Sequence, residues 1–281
     1  MEILAEIFVW LNKFANVLGA VLLAPVNWMP GWLSNSLYAL VAGIFMLVVY
    51  KMTSNQMAIG RIKDQMKASL LALKLYKDFL PVTFQSQGIL LACAAKQLLH
   101  AIVPLLVMCV PFCLLLGQLG LWYQFRPLKS GEQSLLTVTL NSPKNTPWPE
   151  IALDLPEGTR ALAGPCRVNK DRQEIWWTIQ AGESINDSLS VRINGEHFQK
   201  GFVAGTGLQR VSALRPGRDW LDLLLHPWET PFEKDSRVRS ISIQYPRRES
   251  FTHGTDMWMV YFMLISILGA LLFKPLVKVK F

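Results

Sequence analysis

Cys109 and Cys113 stand one helical turn apart with Met108 beside them, a group of soft sulfur donors that could hold a soft metal ion. Small polarizable side chains also pack well between helices, and that plainer reading suits an uncharged stretch better. The four histidines, His100, His197, His226 and His253, form neither an i, i+4 pair nor a Cys/His knuckle. No metal site and no cofactor is therefore expected. Cys93 falls next to the same hydrophobic stretch and Cys166 stands alone in a polar region, so no disulfide framework follows. The sequence contains no glycine-rich phosphate loop, nucleophile elbow or pair of carboxylates at a catalytic spacing. Its long apolar stretches hold no Asp or Glu to relay protons, so neither an enzyme nor an ion pump is expected.

What remains are polar groups inside apolar stretches, namely Gln97, His100, Gln118, Tyr261 and Ser266, and a run of lysines, Lys63, Lys67, Lys74 and Lys77. Polar side chains at membrane depth either bond to a neighbouring helix or line a hydrated groove. The lysines form either a contact surface or a solvated basic face.

The elements that must position these groups follow from the hydropathy pattern. Hydrophobic residues make up 51% of the 281 and charged ones only 17%, which points to membrane spans. The net charge of +8 is not gathered into a Lys/Arg block, and no zinc-finger, helix-turn-helix or RNA-binding signature accompanies it. No specific nucleic-acid partner is expected; the lipid bilayer is. The start lacks the basic region of a signal peptide and is expected to be retained.

Residues 1–32 read as an amphipathic helix in the membrane interface, with Ile3, Leu4, Ile7, Phe8, Leu11, Phe14, Leu18 and Leu22 on one face and Glu2, Glu6, Lys13 and Asn16 on the other. Trp10, Trp28 and Trp32 suit the headgroup level. A first span of about 18 residues covers 33–50. Residues 51–97 are basic, with an apolar stripe of Ile59, Ile62, Met66, Leu70 and Leu73. They read as an antiparallel helical hairpin broken near Pro81. A second span of about 24 residues covers 98–121, where Pro104 and Pro111 should kink the helix. A third, of about 17 residues, covers 257–273, leaving 274–281 as a basic tail.

Between the second and third spans, 124–250 carries short strand-like runs at Leu135–Leu140, Ile151–Leu155, Ile175–Ile179, Leu189–Ile193 and Val238–Tyr245. Turn-formers such as Asn194-Gly195 and Pro216-Gly217 punctuate them, as in a small antiparallel β-sandwich. The sequon at Asn186 matters only in a eukaryotic secretory pathway. The fold class is thus an α+β membrane protein with three transmembrane helices. The excess of Lys/Arg places the hairpin and the carboxyl terminus in the cytoplasm. The amino terminus and the β domain then lie outside, and a bacterial inner membrane is the setting expected.

An amphipathic outer helix, a first span, a basic cytoplasmic hairpin, a second span continuous with it and a third returning inward form an order that resembles the core of the YidC/Oxa/Alb insertase superfamily. Pro25 to Leu33, Tyr50 to Gln56 and Pro104 to Pro111 carry the local likeness, closest to the small archaeal YidC-like proteins and the related subunit of the ER membrane complex. The resemblance spans roughly residues 1–123 and 257–281. The first span has no arginine of the sort bacterial members place in the groove, and the β domain sits between spans two and three. The resemblance implies an insertase or chaperone with a hydrated groove, here lined by Gln97, His100, Gln118 and Tyr261. The groove reduces the cost of a charge at the bilayer centre, roughly 2.5 kcal/mol or more. It implies nascent membrane proteins or ribosomes as partners at Lys63, Lys67, Lys74 and Lys77. The alternative expectation is a scaffold subunit of a membrane complex whose β domain docks a partner, with Trp176, Trp177, Trp220 and Trp228 either supplying anchors or, the plainer reading, buried in the sandwich.

Overall fold

A computed structural model describes residues 2–23, 29–76, 79–141, 147–168, 173–183, 185–250 and 257–279. The chain is α+β and forms two compact units: Met1–Asn35 with Cys113–Tyr261, and Ser36–Phe112 with Phe262–Phe281. Six helices, α1 (Glu2–Leu23), α2 (Gly31–Thr53), α3 (Gln56–Leu75), α4 (Leu80–Tyr123), α5 (Trp220–Leu225) and α6 (Met257–Val277), accompany eight strands among the described residues. Three of them, α2, α4 and α6, are long and apolar enough to cross a membrane.

In the first unit, β1 (Gln133–Leu140), β3 (Arg160–Val168), β4 (Glu174–Gln180), β7 (Leu214–Arg215) and β8 (Val238–Ile243) form a sheet of order β3-β4-β1-β8-β7. A second sheet has the order β2-β5-β6, from β2 (Ile151–Asp154), β5 (Ile185–Ile193) and β6 (Glu196–Ala204). All strand pairs within the two sheets are antiparallel. Period-2 alternation drives the fold: along β1, Leu136, Val138 and Leu140 turn inward, and along β4, Ile175, Trp177 and Ile179 do the same. They share one core with Leu189, Val191, Ile193 and Phe202 of the second sheet. The β5–β6 hairpin closes through Asn194 and Gly195, both at positive φ (47° and 89°), as a two-residue turn of the primed type requires.

The start of α2, the end of α4 and the start of α6 also meet in this unit. Tyr123 donates its hydroxyl to Ser34 Oγ at 2.7 Å, and its ring lies 6.1 Å from that of Trp258.

In the second unit, α2 and α6 pack through small residues. A Cβ on Gly43 would fall 2.2 Å from the Ser266 carbonyl oxygen, and one on Gly269 would lie 3.4 Å from Leu40 Cα. Close backbone approach of this kind is how apolar helices gain contact where the surroundings are equally apolar. Lys51 Nζ donates to Val277 O at 2.8 Å, so the carboxyl ends of α2 and α6 come together. Helix α3 starts at an N-cap, Asn55, whose side chain accepts from Ala58 N. It lies beside α4, where Cys93 Sγ donates to Gln65 Oε1 at 3.6 Å. At 44 residues α4 is about 66 Å long by the helical rise, twice a bilayer's hydrocarbon thickness. Pro81 falls in its first turn, where the missing N–H costs nothing, and the helix continues through Pro104 and Pro111.

Candidate functional site

Along the α3 stripe Ile59 and Ile62 are buried, Met66 and Leu73 are half-buried and Leu70 is exposed; off the stripe, Leu71 and Leu75 are exposed too, Leu75 at 70%. Beyond the turn, Phe79, Leu80 and Phe84 are exposed as well, Phe79 at 64%. Lys67 and Lys74 are exposed between these side chains and Lys63 is half-buried, while Lys77 lies outside the described residues. Turn bonds hold this tip: Tyr76 N donates to Ala72 O, and Thr83 Oγ1 donates to Tyr76 O at 3.3 Å. Fully burying each such Leu or Phe side chain is worth about 1.5–3 kcal/mol, so the surface gains from an apolar partner. The chemistry it offers is apolar contact bordered by positive charge.

Gln97 and His100 lie one turn apart on α4 in the same unit, both half-buried. The His100 ring folds back on its own helix, with Nδ1 2.8 Å from Lys96 O. Gln118 and the half-buried Tyr261 belong to the first unit. Gln118 is buried and donates from Nε2 to Asn16 Oδ1 at 2.6 Å, so α1 receives it.

That bond belongs to a polar seam within the first unit. Asn12 Nδ2 donates to Leu223 O at 2.6 Å and Asn16 Nδ2 to Pro227 O at 2.8 Å, serving carbonyls at and beyond the end of α5 that lack helical partners. Gly19 leaves room for Gln118, whose Oε1 a Cβ would meet at 2.6 Å. Held through Asn12 and Asn16, α1 leaves Ile7, Trp10, Phe14, Val17 and Val21 exposed at helical spacing, Trp10 at 69%. Phe8 and Leu11 of the expected apolar face are half-buried, and Glu6 and Lys13 are exposed. Exposed apolar side chains on one side and the two bonded asparagines on the other make α1 amphipathic.

Beneath the seam lies a charge pair with no counterpart in the sequence reading. Lys200 Nζ is fully buried and donates to Glu229, to Ser212 O at 2.7 Å and to Gly201 O at 3.2 Å. Burial pushes the Lys200 amine down, and the Glu229 carboxylate pushes it back up. All three ammonium protons have acceptors, so the pair anchors rather than reacts: it fixes β6 to the loop that carries Pro227 and Trp228. The Trp228 ring in turn stacks under Arg210 at 4.1 Å, with Trp122 at 5.4 Å. Burial holds His226 below its ordinary range, opposed by Asp222 and Glu229 and reinforced by Lys200. Among the described residues, no three His, Cys, Asp or Glu side chains gather as metal ligands.

The sequence places Asn12 and Asn16 one turn apart on α1, and that spacing is the signal for the seam. The Lys200–Glu229 pair spans 29 positions and leaves no local trace. Searches against family models, curated proteins and solved structures find no match to this chain.

Proposed function

We propose that this protein is an insertase-like membrane chaperone, with the α3–α4 hairpin as its contact surface for emerging membrane segments. The observation that carries the reading is the tip itself, where Leu71, Leu75, Phe79 and Phe84 are exposed, as are Lys67 and Lys74 of the same hairpin. An apolar client segment offers the missing burial, and lysines attract an anionic ribosomal or membrane surface. Helix α4 is long enough to cross the bilayer and still raise the hairpin beyond it. Lys51, Lys274 and Lys278 share the carboxyl ends of α2 and α6, which supports a cytoplasmic assignment for those ends and for the hairpin. The β sheets then lie on the opposite, outer face. Gln97 and His100 stay candidates for a groove, and the Gln118 bond to Asn16 gives that residue a holding role. The activity needs no cofactor and no bond-making step.

Photocrosslinking in cells from probes at Leu71, Leu75 and Lys67 tests this. Capture of many different nascent membrane proteins supports it, and capture of none sinks it.

A scaffold role has one observation of its own. Strand β3 edges the larger sheet with eight of its nine residues exposed, so its outer side is open to strand addition by a partner. One constant partner caught from Leu162, with no nascent chains from the hairpin, favours that reading.

A further inference from the structure

Where α4 ends at Tyr123, the chain passes into the β sheets through a short segment that others close over. Phe125 bridges Arg247, Arg126 N donates to Pro246 O at 3.0 Å, and Gly205 N donates to Leu128 O at 2.8 Å. These segments and the residues opening α2 enclose a cavity of about 380 Å³. Met29, Gly31, Gly207 and three cations, Arg126, Lys129 and Arg248, line it, and no acidic residue does.

The three cations are not equivalent. Arg126 is spent on Glu132 through a two-pronged ion pair at 2.7 and 2.8 Å. Lys129 is exposed at the rim. Arg248 has only backbone partners: Nε donates to Trp122 O at 3.2 Å, and Nη1 and Nη2 donate to Gly207 O at 3.3 and 3.4 Å. Among the described residues no carboxylate pairs with it. A guanidinium has five N–H donors, so this one keeps donors to spare. Burial and the neighbouring Arg126 push it down to about 10, the behaviour of a cation lacking its counter-ion. Gly207, at φ 91°, presents its carbonyl to Arg248 from a conformation that suits glycine. Gly31 adds the amino end of α2, a 23-residue helix whose dipole favours an anion there.

We propose that this cavity binds a phosphate-bearing anion, either the headgroup of an anionic phospholipid or free phosphate, through Arg248, Lys129 and the amino end of α2. A guanidinium fork with free donors and a nearby ammonium match phosphate oxygens. The site lies at the sequence ends of two helices able to span a bilayer, the depth at which lipid phosphates lie. The inference is independent of the chaperone reading, since it concerns only the first unit.

The test is native mass spectrometry of the delipidated full chain in non-ionic detergent, titrated separately with phosphatidylglycerol and with inorganic phosphate. One saturable site is expected, weakened about tenfold by Arg248→Gln, the worth of one charge-assisted hydrogen bond. Lys129→Gln should weaken it severalfold, and Arg167→Gln, outside the cavity, should leave it unchanged. Saturable binding of phosphatidylglycerol alone identifies a lipid site, and equal or tighter binding of inorganic phosphate identifies a phosphate site. Because Lys129 is exposed, its variant decides the matter even if Arg248→Gln fails to fold. Absence of saturable binding by either probe overturns the proposal. So does binding that Lys129→Gln leaves unchanged, or that Arg167→Gln weakens as much.

Discussion

Leucine means opposite things in the two halves of this molecule. Leu136, in the β sheets, has no solvent exposure, while Leu105 and Leu106, in the middle of α4, are 68% and 65% exposed. The sheets close their apolar faces on one another, as a fold in water must. The apolar helices turn theirs outward and keep small residues for the contact at Gly43 and Gly269, as helices do where the surroundings are oil. One chain thus shows two kinds of apolar surface, and α1 bridges them by holding α5 and the loop after it with Asn12 and Asn16 while showing Trp10 and Phe14 outward.

Breaking the sealed side gives the largest effect. Glu229→Gln leaves the Lys200 ammonium buried without its countercharge, a loss of about 3–5 kcal/mol. Denaturant unfolding followed by tryptophan fluorescence should show the β signal lost early while helical circular dichroism persists. On the lipid side, Gly43→Val drives a side chain into the Ser266 carbonyl, at a cost of about 1–3 kcal/mol. Disulfide trapping of cysteines placed at positions 40 and 269 should fall, with the β transition unmoved.

Legibility divides along the same line. Strands β1, β4 and β8 could be read because their buried residues alternate with partly exposed ones. Strand β3 could not, since most of its residues are exposed and leave no alternation. Strand β6 places Lys200 where the pattern asks for an apolar residue, and its partner Glu229 comes from a distant loop. The three apolar helices announce themselves by composition, whereas the exposure of Leu71 and Leu75, off the α3 stripe, does not. Periodicity tells which residues share a face, and only packing tells where that face has a neighbour. The phosphate cavity draws on four separate segments and has no motif of its own.

Two smaller effects sharpen the border between the two kinds of surface. Asn12→Ala leaves Leu223 O without its donor, at a cost of about 1 kcal/mol. Hydrogen exchange should rise in α5 and α1 while the sheets stay protected. His226 is held below its ordinary value by burial, so the unfolded chain takes up a proton first as the pH falls. Stability of the β unit should therefore be full above about pH 6.5, the ordinary histidine value, and decline as the pH drops toward the folded value. His226→Gln should flatten that slope in an unfolding series from pH 8 to 5.

Reconstitution puts the insertase-like activity itself to the test. The purified chain is placed in liposomes, supplied with a short single-span client, and insertion is read by protease protection. Insertion above that of empty liposomes, lost when Leu71 and Leu75 are both changed to Ser, is expected of an insertase-like chaperone. Insertion no better than in empty liposomes, or undiminished by the hairpin changes, would contradict it.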